Sequence, residues 1–271
     1  MLASETIIFL IFNLNLVDRV KSEKELNTNY FGDGRRLLFH SGRTIADVVL
    51  NERNDILRCS LRAAKDITKK NNMFRSLESD VKIVKLKMVD MIDLVNRCNI
   101  HPTNQNILTI QQLNQDFADT GEKSILDTAL PFREMFTATK IIVKDTLWCG
   151  RNNIAKQYNQ LGPDYQLDRC CRAHDFCPFD LPGLTKSNPA PYTMSACECD
   201  QVFYDCLKAV GSKSTEDVGK IFFNIAKVPC VNFVQQRRCS VRDKSSDSCL
   251  EWTEDTEKQP LLEIREKLKK Y

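Results

Sequence analysis

Cys170-Cys171-Arg172-Ala173-His174-Asp175-Phe176-Cys177 places three cysteines, a histidine and an aspartate in one short run. Read as a helix, this run puts Cys170, His174 and Cys177 at i, i+4 and i+7 on one face, with Cys171 and Asp175 in the adjacent row. Asp168 reads as the N-cap of that helix. Disulfides through the three cysteines would hold the helix rigidly and fix the directions of His174 and Asp175. A fixed histidine beside a fixed carboxylate is what a water-activating site or a hydrolytic metal site requires.

Upstream, Trp148-Cys149-Gly150-Arg151-Asn152-Asn153 has no helical period and suits a loop, with Gly150 and the two asparagines able to take positive φ. Downstream, Pro178, Pro182, Gly183, Pro189 and Pro191 predict a second loop. A second helix is expected from about Ala196 to Ala209, with Cys199, Asp200, Phe203, Cys206 and Leu207 sharing a face. Gly211-Ser212 ends it. Ser214-Thr215-Glu216-Asp217 opens a third helix, whose apolar face is Val218, Ile221, Phe222, Ile225 and Ala226. Cys230, Cys239 and Cys249 fall in a looser tail, and Leu261 to Tyr271 carries roughly helical spacing.

Nearer the N-terminus, Ile56, Leu57, Leu61, Ala64 and Ile67 recur at helical spacing, as do Val81, Val84, Leu86, Val89, Ile92 and Val95. With Cys59 and Cys98 near the two ends, the simple picture is a pair of antiparallel helices stapled by a disulfide. Residues 21–54 read as polar and charged with a turn at Gly32-Asp33-Gly34. His101-Pro102 ends the helical pattern, and 103–140 reads as a linker or the end of a pro-segment. Thr6 to Val17 has the length and apolarity of a secretory leader and is too short to span a bilayer.

The chain has 271 residues, and 39 basic against 36 acidic residues leave a formal charge of +3. That near balance gives no argument for nucleic acid, and none is expected as a partner. Of 12 cysteines, only Cys59 and Cys98 precede Cys149. An even, clustered set with adjacent and i+2 pairs reads as a disulfide framework made in an oxidising compartment. The rival reading, zinc, lacks the usual C-x₂₋₄-C repeat, and ten clustered cysteines exceed one tetrahedral site.

Trp148-Cys149-Gly150, then Leu161-Gly162, Cys170-Cys171-Arg172-x-His174-Asp175-x-Cys177-Pro178, Tyr192-Thr193-x-Ser195-x-Cys197-x-Cys199-Asp200-x-x-Phe203-x-x-Cys206-Leu207-Lys208 and Val218-Gly219-Lys220-x-x-Phe223-Asn224 together resemble the secreted phospholipases A2 of the bee-venom type, group III. The resemblance spans about Ile141 to Cys249 and leaves 1–140 outside. It implies that His174 removes a proton from water, and that a buried Asp200 on the antiparallel second helix fixes the tautomer of His174. It further implies that calcium (Ca2+) is held by Asp175 and by the carbonyls of Trp148, Gly150 and Asn152, and that the Gly150 N–H serves the oxyanion hole. The implied disulfides are Cys149–Cys171, Cys170–Cys206, Cys177–Cys199, Cys197–Cys230 and Cys239–Cys249. Two residues depart from the pattern: Asn152 stands where the family loop usually has a second glycine, and Phe222 where a tyrosine often supports the aspartate.

The expectation is therefore a mainly α, disulfide-rich phospholipase A2 fold with two antiparallel catalytic helices, a calcium loop and a third helix, behind an N-terminal helical extension. The expected division is a signal peptide over 1–20, a helical extension or pro-segment over 21–140 and the phospholipase domain over 141–271. The expected activity is calcium-dependent hydrolysis of the sn-2 ester of glycerophospholipids at a phospholipid membrane surface, by a secreted, extracellular enzyme. The alternative is a catalytically weak phospholipase-like protein that binds lipid or a receptor. The sequence says nothing of oligomeric state.

Overall fold

A computed structural model describes residues 30–31, 34–64, 70–71, 74, 81–113, 115, 123–124, 141–150, 153–243, 245–255, 257–258, 260–266 and 270–271. The leader expected over 1–20, and Asn152, lie outside the described residues. The chain divides into two compact units, Met1–Thr128 with Lys140–Pro178, and Ala129–Thr139 with Phe179–Tyr271. Residues 141–178 thus share a unit with the N-terminal segment.

The first unit corrects the expectation of a mainly α protein. Among the described residues, its N-terminal part is chiefly a β-sheet backed by the helix Met88–Ile100, where a helical hairpin was expected. Strands β1 (Tyr30–Phe31), β2 (Gly34–Ser41), β3 (Thr44–Leu50) and β4 (Ile56–Ala63) run antiparallel in that order, and β5 (Lys82–Lys85) adds parallel to β2. The physical reason lies in 34–50, which the polar reading passed over. Leu37, Leu38, Phe39, Ile45, Ala46, Val48 and Val49 are all buried, so both faces of this hairpin are covered. In β4 the apparent helical spacing is accidental. Cys59 and Leu61 point inward while Arg58 and Arg62 point out, the period-2 pattern of a half-buried strand.

Helix α1 (Met88–Ile100) buries Met91, Ile92, Leu94, Val95 and Cys98. It covers β2 and β4 and is joined to β4 by the Cys59–Cys98 disulfide, with Cα atoms 5.5 Å apart. The pairing inferred for these two cysteines is present, as a bond between strand and helix rather than between two helices. The break at His101-Pro102 also holds: Pro102 opens the 3₁₀ turn Pro102–Asn104, where its missing N–H costs nothing. The stretch read as a linker enters the fold through β6 (Asn106–Ile107) and β7 (Lys123–Ser124). These pair in parallel with β9 (Gln160–Leu161) and β8 (Ile141–Ile142) respectively.

Helix α2 (Tyr165–Asp175) carries the motif on which the sequence reading turned. It begins earlier than expected, with Asp164 as N-cap accepting from the Leu167 N–H at 3.4 Å, and it ends before Cys177. Cys177 therefore does not extend the helical face of Cys170 and His174. Arg172, with no exposed surface, fastens α2 to the N-terminal part. Its Nε donates to Asn99 Oδ1 and its Nη2 to the Asn99 carbonyl. Its Nη1 donates to the carbonyls of Asn104 and Tyr158, all four bonds being 2.8 Å. Asn99 Nδ2 returns a bond to the Arg169 carbonyl at 2.9 Å. The guanidinium also lies over the Tyr158 ring, 4.7 Å from its centroid.

The second unit also mixes helix and strand. A short hairpin of β10 (Asp180–Leu181) and β11 (Met194–Ser195) precedes α3 (Cys197–Val210), which closes on Gly211 in the left-handed region at φ 63°. Helix α4 (Lys213–Gly219), capped by the Ser212 hydroxyl, continues as a π-helix over Lys220–Ala226, so the expected third helix is present but widens midway. Two antiparallel ribbons follow, β12 (Cys230–Val234) with β15 (Leu261–Arg265), and β13 (Arg237–Arg242) with β14 (Cys249–Glu254). Over Leu261–Arg265 this pairing overturns the helical spacing read into the C-terminal stretch. Cys197–Cys230 and Cys239–Cys249 are bonded within the unit.

The Asn99–Arg172 pair generates a stability prediction. Asn99→Leu keeps volume but removes a partner from the buried guanidinium and one from the Arg169 carbonyl. The variant should lose about 2–4 kcal/mol of unfolding free energy, the cost of orphaned buried polar groups next to a charge. Urea denaturation with disulfides intact reads it; an unchanged midpoint would deny that Arg172 holds the two parts together.

Candidate active site

The site is built outward from Asp168, which sits in the first turn of α2 with no exposed surface. It is not the helix cap that the sequence suggested. Its Oδ1 accepts the N–H groups of Leu147 at 2.9 Å and Trp148 at 2.7 Å. Its Oδ2 accepts those of Leu147 at 2.9 Å and Gly162 at 2.8 Å. Burial pushes this carboxyl up to about 7, against the pull of the Gly162, Trp148 and Leu147 N–H groups and the charge of Arg172. Gly162 must be glycine for a packing reason. A Cβ there would strike the Asp145 carbonyl, whose oxygen already accepts the Asp164 N–H at 2.9 Å.

The loop of residues 147–154 is tied to α2 at several points. The Ile154 N–H donates to the Leu147 carbonyl at 2.9 Å and closes its neck. Cys149 is bonded to Cys171, with Cα atoms 5.1 Å apart. Trp148 is buried, gives its Nε1–H to the Gln160 carbonyl at 2.8 Å, and packs its ring 5.8 Å from Phe176. Gly150 bridges to Ile142, and its N–H donates to the Trp148 carbonyl at 3.1 Å. Positive φ falls at Asp145, at 60°.

His174 lies in the last turn of α2 and Asp175 is its final residue, both half-buried. Burial raises the Asp175 carboxyl to about 7, while the charges of His174 and Arg43 and a hydrogen bond from the Asn153 side chain oppose the rise. Asn153 thus ties the far end of the loop to Asp175. In the second unit, Asp200 is buried in the first turn of α3, where the helix dipole favours a carboxylate. Phe222 is in the π-helix, its ring edge-on to Phe203 at 5.3 Å. Cys170, Cys177, Cys199 and Cys206 are all disulfide-bonded. Among the described residues, no three His, Cys, Asp or Glu side chains cluster as a metal site.

The roles of Asp168, Arg172, Asn99, Arg43 and Thr44 were not read from the sequence. One signal was present for two of them: Asp168 and Arg172 stand at i and i+4, an acid–base pair on the face of α2 that the cysteines already mark as interior.

A family model of phospholipase A2 matches residues 142–234. A phospholipase A2 of Apis cerana cerana is 38% identical over 125 residues, covering 44% of this chain and 91% of that protein. Phospholipase A2 isozymes of Heloderma suspectum are 37% identical over 102 residues, 36% of this chain and 71% of theirs. The phospholipase A2 phaiodactylipin of Anuroctonus phaiodactylus is 31% identical over 148 residues, 50% of this chain and 90% of its own length. The molecule is an enzyme, a phospholipase A2. Within that class the chain belongs to the bee-venom, group III family.

Asp168→Asn tests the loop anchor. The amide replaces an acceptor oxygen with a donor facing N–H groups, so at least one buried N–H loses its partner. About 2–4 kcal/mol of stability should go, with a lower yield of the Cys149–Cys171 bond on oxidative refolding. Wild-type stability and refolding yield would mean that the loop is held without Asp168.

Proposed function

We propose that this phospholipase A2 hydrolyses the sn-2 ester of glycerophospholipids at a membrane surface outside the cell, depends on calcium, and releases a fatty acid and a lysophospholipid. The observation that carries the reading is the fastening of the 147–154 loop to α2 by Asp168, by Cys149–Cys171 and by Asn153 against Asp175. Loop carbonyls and the Asp175 carboxylate thereby belong to one rigid piece.

The donor set fits calcium. One carboxylate, the carbonyls of Trp148 and Gly150, and the carbonyl assigned at Asn152 are all hard oxygen ligands, the kind calcium takes and zinc does not favour. Bound calcium would supply a Lewis acid for the ester carbonyl and a counter-charge for the phosphate. Asn152 offers its backbone oxygen as well as any residue would.

In this reading His174 takes a proton from a water whose oxygen forms a bond to the sn-2 carbonyl carbon. When the carbon–oxygen bond to glycerol breaks, His174 returns the proton to the leaving alkoxide. Asp200 is assigned to the second ring nitrogen, where it keeps one tautomer and stabilises the imidazolium. The Gly150 N–H is assigned to the developing oxyanion and must turn from the Trp148 carbonyl to reach it. The assignment carries the family pairings Cys170–Cys206 and Cys177–Cys199. Twelve bonded cysteines support an extracellular setting, with 1–20 as the leader.

One observation favours a weakly catalytic, lipid- or receptor-binding protein. The Phe222 ring is committed to Phe203 and has no hydroxyl to offer Asp200. Turnover on phospholipid vesicles separates the readings. His174→Gln should fold with the same disulfides and lose about 10²–10⁴-fold in rate, and a chelator should silence the wild type. Full activity in chelator, or in the folded variant, would refute the assignment.

A further inference from the structure

The C-terminal end of α2 is closed only in part by its own residues: the Phe176 N–H donates to the Arg172 carbonyl at 3.2 Å and the Cys177 N–H to the His174 carbonyl at 3.0 Å. Phe176 follows at φ −91° and ψ 19°, neither Phe176 nor Cys177 is glycine, and Pro178 bars further helix. A helix end leaves carbonyls without partners inside the helix. Donors for the carbonyls of Asp175, Phe176, Cys177 and Pro178 come from the tip of the β2–β3 hairpin, more than a hundred residues away in sequence. Arg43 Nη2 donates to the Asp175 carbonyl at 2.9 Å. The Thr44 hydroxyl donates to the carbonyls of Phe176 at 3.1 Å and Cys177 at 3.4 Å. The Arg43 N–H donates to the Pro178 carbonyl at 3.0 Å. A guanidinium at this end also suits the negative pole of the helix.

The tip is itself rigid. Ser41 pairs with Thr44, so Gly42 and Arg43 form a two-residue turn, and Gly42 at φ 50° is the residue the first turn position needs. From its other side, the Ala64 N–H donates to the Arg43 carbonyl at 2.8 Å and Lys70 Nζ to the Gly42 carbonyl at 2.9 Å. Thr44 is fully buried. The strands behind the turn are the two covered on both faces.

We propose that this hairpin tip is the external cap of the catalytic helix, and that Arg43 and Thr44 are positioning residues for Asp175. The proposal rests on the calcium-dependent reading above for its effect on metal, and on geometry alone for its effect on the helix end. The contacts of Arg43 and Thr44 are with the backbone at the end of the turn from which Asp175 would bind the cation. Thr44 carries no charge, so its removal tests positioning without altering the field at Asp175.

Thr44→Val and Arg43→Gln in the full chain test this by two readouts. The first is amide exchange at residues 174–178 in metal-free protein. It should rise roughly two- to tenfold in both variants, with the β2–β3 ladder unchanged. The second is the calcium concentration for half-maximal vesicle hydrolysis, which should rise by a similar roughly two- to tenfold, with kcat at saturating calcium little changed. Arg43→Lys, which keeps a donor, should recover part of the loss. General destabilisation would instead lower activity at every calcium concentration. Unchanged exchange at 174–178 in both folded variants overturns the cap. A wild-type protein that neither binds calcium by calorimetry nor needs it, while its variants still exchange faster, would uphold the cap and refute the calcium reading.

Discussion

A carboxyl and a guanidinium buried one turn apart on α2, Asp168 and Arg172, set the position of everything near the chemistry. Neither has exposed surface, and each is satisfied by backbone groups of a different segment. Asp168 takes N–H groups from Leu147, Trp148 and Gly162; Arg172 gives its own to the carbonyls of Asn99, Asn104 and Tyr158. A buried charge without partners costs several kcal/mol, so these segments cannot drift from α2 without a large penalty. One end of the pair therefore fixes the loop that bears Trp148 and Gly150, and the other fixes the N-terminal sheet and α1. His174 and Asp175 inherit their place from both.

Little of that was legible in the sequence, although the helices of the site were. The cysteines and the 3.6-residue period marked α2 and α3, because a disulfide-bonded helix announces itself in its own residues. The N-terminal sheet was misread because Ile56, Leu57, Leu61 and Ala64 mimic a helical period over a short window. The better signal, Gly42-Arg43 between the apolar run Leu37-Leu38-Phe39 and the β-branched run over Thr44–Leu50, lay in a stretch dismissed as polar. Leu261, Leu262 and Ile264 failed similarly, since a short apolar run does not declare its period and the partner strand Cys230–Val234 is distant. Asp168 was seen as an acid near a helix start, but its donors lie up to 21 residues back and could not be read locally.

The N-terminal part changes what this phospholipase is. The Apis cerana cerana enzyme is matched over 91% of its length by 44% of this chain, which leaves it little room for a comparable module. Here the module contributes strand partners to Gln160–Leu161, a carboxamide to Arg172 and a cap to the end of α2. Those contacts are buried and hydrogen-bonded, as the interior of one domain is, and unlike a shield resting on a finished surface. A segment that covers a site and is then removed would be expected to leave the catalytic helix satisfied by its own neighbours. This one takes polar partners from that helix when it leaves.

The disulfides make a direct test available. Cys59–Cys98 lies wholly within the N-terminal part, so cutting the chain at a protease site engineered within residues 129–139 leaves no bond from that part to Cys149 or Cys171. The cut protein should run as a single species of unchanged size under native conditions, hydrolyse vesicles at the uncut rate, and separate into two fragments only in denaturant. Release of the N-terminal fragment in native buffer, with a catalytic fragment left fully active, would contradict the account.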